Sequence, residues 1–284
     1  MTPTPFIAVM QGRLVPPEGG RFQSFPRERW RDEFALAAQA GLNAIEWIFD
    51  AYGEDVNPLC TDAGIAEMRS LSEETGTAVR SLCADYYMDR PFLRVTAAER
   101  EELIRKMEWL LSRCRTLGIN RVVIPFVDKS RIENDSETIL TLAILEEILP
   151  GAEVNNVELH LETSLAPKPF ASLLEQCQHP LLRVNYDSGN SSSLGYKVRE
   201  EFAAYGHRIG SVHIKDRLCG GGTVPLGAGS ADLPAVFHGL AALGYRGDYV
   251  LQIARSEPGR ELQWIGQNRA WVANQIEAAI GATQ

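Results

Sequence analysis

The chain has 284 residues, of which 45% are hydrophobic and 23% charged, a composition that can bury a full core and is too apolar for a disordered segment. Its formal net charge of −9 sets up a field that repels phosphodiester backbones and anionic lipid headgroups, so neither nucleic acid nor a membrane surface is expected as a partner. Five cysteines at wide spacings without a C-x-x-C pair argue against a disulfide framework or a thiolate zinc site, and the absence of both a signal-like N-terminus and a run of ~18 apolar residues predicts a cytoplasmic protein.

Short β-branched runs alternate with amphipathic stretches along the whole chain. The predicted elements are a strand over 6–10 and a helix over 27–40, then strand 43–48 and helix 62–75, strand 78–84 and helix 96–117, strand 121–126 and helix 135–149. The second half repeats the pattern with strand 157–162 and helix 168–177, strand 182–187 and helix 198–205, strand 209–214 and helix 231–243, strand 248–253 and helix 259–280. Gly41, Gly76, Gly118 and Gly244 each stand between a helical run and the next strand, where a left-handed residue ends a helix. Eight β-then-α units, no G-x-G-x-x-G turn after the first strand and no linker rich in Pro, Gly or Ser predict one (β/α)₈ TIM barrel spanning 1–284.

Inward positions of a barrel strand share parity and are ordinarily filled by Val, Ile and Leu. Here they are polar on four consecutive strands: His160 with Glu162, Asn185 with Asp187, His213 with Lys215, and Gln252. Such groups are costly to desolvate unless they bond one another or share an ion, so a common centre is predicted at the C-terminal mouth. Two carboxylates, an imidazole and an amide oxygen make a mixed O/N set. Its two negative charges balance a divalent cation, with Mn²⁺, Mg²⁺ or Co²⁺ suited somewhat better than a thiolate-selected metal and Zn²⁺ kept among the candidates. The predicted metal ligands are Glu162, Asp187, His213 and Gln252.

At these residues the chain resembles the xylose-isomerase-like barrel superfamily, and within it the L-ribulose-5-phosphate 3-epimerase and hexulose-6-phosphate isomerase group. The stretches that carry the likeness are HLET at 160–163, YDSGN at 186–190, SVHIKD at 211–216, VPLGAGSADL at 224–233 and the segment ending at Gln252. The resemblance implies a Glu, Asp, His and second Glu as metal ligands on strands five to eight. The first three map onto Glu162, Asp187 and His213, but this chain has Gln252 where the family places the second Glu. An amide neither removes nor returns a proton, so the departure damages a two-base epimerase mechanism more than it damages metal binding.

The reading that follows is a divalent-metal-dependent isomerase acting on a sugar or sugar phosphate through an enediolate, with Glu162 as the base. Lys215, His160, Asp85 and Glu46 are candidates for a further acid. Arg13, Arg217 and Arg255 are candidate anion contacts, and Asn190, in the YDSGN motif, is a candidate substrate contact. The glycines at 220–222, 227 and 229 make the loop after strand seven permissive for close approach of an anion. Trp47, Phe49, Tyr86, Tyr87 and Phe126 suit either a wall under a sugar ring or the core. A 3-epimerase or a keto-inositol dehydratase on the same site, and a sugar-binding barrel without turnover, are the alternatives. An endonuclease IV-like enzyme needs three metals and many histidines, whereas His179, His207 and His238 fall on helices or their approaches. The resemblance also implies a homodimer formed through an exposed barrel rim.

Overall fold

Each predicted unit is present in the computed structural model, which describes residues 6–283; residues 1–5 and 284 of the predicted domain lie outside it. The first half runs β1 (Ile7–Met10), α1 (Asp32–Gln39), β2 (Ala44–Ile48), α2 (Asp62–Thr75), β3 (Ala78–Cys83), a single turn α3 (Tyr86–Asp89), α4 (Ala97–Leu117) and β4 (Arg121–Phe126). The second runs α5 (Asp135–Asn155), β5 (Glu158–Thr163), α6 (Pro167–Gln176), β6 (Leu182–Asp187), a short α7 (Ser188–Ser193), α8 (Val198–Tyr205) and β7 (Ile209–Ile214). A small hairpin of β8 (Asp216–Arg217) and β9 (Thr223–Val224) follows, then α9 (Leu233–Ala242), β10 (Tyr249–Leu251) and α10 (Glu261–Thr283).

Eight strands close into a parallel barrel in the order β1, β10, β7, β6, β5, β4, β3, β2. Because helices cover the outside and side chains fill the inside, the strands read as near-continuous buried runs; all six residues of β4 are buried. Helix ends follow local chemistry. Thr96 and Glu99 form a reciprocal capping box on α4, and Gly118 ends that helix at a φ of 98°. Helix α5 continues through Pro150, past the predicted end at 149, to a left-handed Asn156; losing one N–H bond at Pro150 is offset by the further turn, which buries Ala152. The turns α3 and α7 and the β8–β9 hairpin were not predicted, being too short to show a period.

Two levels of polar side chains lie inside the barrel. At the N-terminal base, Arg121 and Asp248 form a buried ion pair. Above them His160 is held between Ser211 and Glu158. Gly210 makes the imidazole's place, since a Cβ there would lie 2.6 Å from His160 Cε1. The second polar level is at the opposite end, where the β5, β6 and β7 C-termini converge.

Candidate active site

Glu162, Asp187 and His213 end up together because parallel pairing puts Asp187 opposite His213 and brings β5 alongside β6. One candidate ligand atom from each of the three buried residues lies within 4.8 Å of the others. His213 Nδ1 is 3.2 Å from Glu162 Oε2 and 4.0 Å from Asp187 Oδ2. Its Nε2 lies 2.6 Å from Glu46 Oε1. A carboxylate only accepts, so Nε2 carries the hydrogen and Nδ1 faces the two carboxylates, which is how an outer carboxylate orients a metal-binding histidine. Burial alone would push the His213 pKa down, but Glu46 and Glu162 outweigh it and raise it to about 10. Burial likewise would raise Glu46, yet His213 holds it below the ordinary carboxylate value.

The surrounding amides fix the carboxylates. Asn185 Nδ2 donates to Glu162 Oε2 at 2.8 Å, while Asn185 Oδ1 accepts from Ser211 at 2.7 Å, which sets which way the amide points. Asn190 Nδ2 donates to the other oxygen, Glu162 Oε1, at 2.6 Å. Asp187 Oδ1 caps α7 by accepting from the Gly189 and Asn190 N–H groups, leaving Oδ2 toward Lys215 Nζ at 3.3 Å. Gly189 lets that lysine pass: a Cβ there would lie 2.6 Å from Lys215 Cγ. Two hard carboxylates and one imidazole, already gathered and oriented, fit a divalent ion in both charge and donor type.

Glu162 opens onto a cavity of about 490 Å³ at the barrel mouth, whose lining also includes Asp85, Asn190, Lys215, Arg217 and Gln252. Gln252 Oε1 accepts from Lys215 Nζ at 3.2 Å and its Nε2 donates to Gln23 Oε1 at 2.9 Å. Gln23 in turn donates to Asp85 Oδ2 at 2.7 Å. Burial raises the Asp85 pKa to about 6 against the hydrogen bonds from Gln23 and Cys83. Lys215 Nζ thus reaches Asp187, Asn190 and Gln252, not its neighbour Asp216.

Several sequence expectations are corrected by position. His160 lies one inward step below Glu162, with both ring nitrogens occupied by Ser211 and Glu158, so it does not line the cavity. Glu46 is fully buried behind His213 and orients that ring, touching no cavity surface. Arg13 is committed to the Ile253 and Phe22 carbonyls and to Gln23, and Arg255 to the carbonyls of Phe22, Gly12 and Val15; both pin the 12–25 loop. The loop after β7 holds an anion already: the Gly227, Gly229 and Ala231 N–H groups all bond the Asp216 carboxylate. Of the aromatics, Trp47 packs on Phe25, Trp30 and Phe34, Phe49 on Tyr86 and Trp109, Tyr87 on Phe92, and Phe126 near Phe92, so they belong to the core. The sequence reading missed Gln23, Asp50, Asp89 and Asp128 in the lining, which lie on loops or on single helical turns too short to show a period.

A closed parallel barrel with two carboxylates and a carboxylate-oriented histidine at its C-terminal mouth is a barrel with a candidate metal site where such folds carry their active sites. Residues 34–275 match the model of the xylose isomerase-like TIM barrel family, and the chain belongs to that family. A relative from Escherichia coli K12 named SgbU is 26% identical over 268 residues, covering 88% of this chain and 92% of its own length. The L-ribulose-5-phosphate 3-epimerase UlaE of Escherichia coli ATCC 8739 is 25% identical over 272 residues, covering 89% and 94%. Among solved structures, an L-ribulose 3-epimerase superposes with a TM-score of 0.75 at 16% identity, covering 97% of this chain and 95% of its own. The IOLI protein with a bound zinc atom gives 0.77 at 17%, covering 96% and 99%. At these identities the superpositions speak for the fold.

Proposed function

We propose that the protein is a divalent-metal-dependent sugar isomerase that removes a proton from the carbon next to a carbonyl, with Glu162 as the base. The observation that supports this reading is the convergence of buried Glu162, Asp187 and His213, with one ligand atom from each within 4.8 Å of the others, and Glu162 reaching the open cavity. A divalent ion held by those three side chains would supply Lewis-acid polarisation of the carbonyl oxygen. Everything else is done by the chain. Glu162 spans the two regions: Oε2 faces His213, and Oε1 is on the Asn190 side, placed to accept the carbon-bound proton. The Asn190 amide steadies that oxygen. The Lys215 ammonium, shared among Asp187, Asn190 and Gln252, is placed to donate to a substrate oxygen. With an amide at 252, Glu162 returning the proton to the same face favours aldose–ketose isomerisation.

Asp85 supports a second reading. It lines the same cavity, with burial raising its pKa to about 6, and is suited to return a proton from another face, which is 3-epimerisation. The names of the relatives favour this chemistry. The test is NMR of free ketoses and aldoses in D₂O with the Mn²⁺-loaded protein: C–H exchange is expected, and Glu162→Gln should lower it by about 10³-fold. Exchange that survives chelation or that substitution refutes the proposal. Product epimerised at C3, lost in Asp85→Asn, decides for the second reading.

A further inference from the structure

We infer, resting on the function proposed above, that the substrate is an uncharged sugar, without a phosphate or carboxylate at the end remote from its carbonyl. Barrels that take phosphorylated substrates usually grip the phosphate with backbone N–H groups in the loops after strands seven and eight. In this chain the corresponding loop after β7 has turned its Gly227, Gly229 and Ala231 N–H groups onto its own Asp216 carboxylate. Asp216 is fully buried. A Cβ at 229 would collide with Asp216 Oδ1, so the glycine serves this internal anion and these three N–H groups are not offered to an external one; of this loop, Arg217, Gly222 and Thr223 border the cavity.

The arginines tell the same story. Arg13 and Arg255 are spent on backbone carbonyls beneath the 12–25 loop. Arg217 borders the cavity, but it donates to the Gly221 carbonyl through Nε and Nη2 and to Asn190 through Nη1. Lys215 is held at the floor by Asp187. Arg21, the remaining cation in the lining, is exposed and stacks over Tyr52.

Against these stand four further carboxylates in the lining: Asp50, Asp85, Asp89 and Asp128. Asp50 accepts from the Phe25 and Gly53 N–H groups, Asp85 is buried, and Asp89 and Asp128 are exposed. A dianionic phosphate brought among them meets like charge with no desolvated cation to offset it, whereas sugar hydroxyls find acceptors. The relatives named for a 5-phosphate substrate are therefore a guide to the chemistry of this chain and not to the far end of its substrate.

The test compares C–H exchange of L-ribulose with that of L-ribulose 5-phosphate by the Mn²⁺-loaded protein, alongside calorimetric binding of ribitol and ribitol 5-phosphate, which needs no turnover. The free sugar is expected to have a kcat/KM at least about tenfold higher, and the gap should narrow at high ionic strength and in an Asp89→Lys, Asp128→Asn double variant. A phosphate ester that exchanges as fast as the free sugar, or a gap that neither salt nor the double variant changes, overturns the inference. Ribitol bound more tightly than its phosphate with no exchange of either ketose would refute the proposed reaction and uphold the inference. Tighter binding of ribitol 5-phosphate would refute the inference whatever the exchange shows, and binding of neither polyol with no exchange refutes both.

Discussion

His213 and His160 are both fully buried on the inner face of the barrel, yet one sits at the mouth and the other toward the base. His213 turns Nδ1 to Glu162 and Asp187 with Glu46 behind it, and its pKa rises to about 10. His160 spends both nitrogens on Ser211 and Glu158; its burial outweighs Glu158 and the pKa falls. The same side chain, on the same face and equally dry, is a candidate ligand in one place and a brace with both nitrogens engaged in the other. Depth along the strand decides between them, since the mouth sets two carboxylates before Nδ1, whereas the lower level gives the ring one carboxylate and one hydroxyl.

The comparison breaks most sharply at His213 itself. His213→Ala should abolish metal binding and lower C–H exchange by at least about 10³-fold, whereas His160→Ala should keep the metal stoichiometry, read by elemental analysis after gel filtration. Next in size is the base: Asp248→Ala strands a buried Arg121 and should cost about 3–5 kcal/mol in denaturant unfolding with metal affinity unchanged. Glu46→Gln should weaken metal binding by about 10–100-fold, because Gln holds the ring less firmly in the tautomer that frees Nδ1; an unchanged affinity would place Glu46 in the fold alone.

A smaller effect is the pH dependence. With the metal-free His213 pKa at about 10, a proton must leave as the ion enters, so affinity should rise by about tenfold per pH unit from neutrality toward 10. The same raised pKa stabilises the metal-free fold fully below the unfolded value of about 6.5, and that gain should fade as pH climbs to about 10. Thermal melts with and without chelator check both signs. Smallest is His160→Gln, expected to cost about 1–3 kcal/mol through its two lost partners and to leave the metal titration superimposable.

Much of this was readable beforehand. Strands β4, β6 and β7 begin and end where their apolar runs do, and the parity of Glu162, Asp187 and His213 pointed to one centre because polar residues facing inward need partners. Parity places a side chain on a face, however, and says nothing of its level, which is why His160 and Glu46 were grouped with the mouth. The arginines failed for another reason: Arg13 and Arg255 are near the mouth in sequence, but apart from Ile253 the carbonyls that claim them belong to an irregular loop without a readable pattern. The same loop hides Gln23, whose amide links Gln252 to Asp85. Gln252 was legible as an inward polar position and as a departure from the family, but its engagement with Lys215 required coordinates.

The contact of Gly210 with His160 sets the bore of the barrel at that level, because β5 and β7 are separated by β6 and reach each other only through what projects inward. Positions 160 and 210 are therefore expected to vary as a pair across the family: a side chain at 210 calls for something slimmer than imidazole at 160, and a chain that changes one without the other must widen its waist.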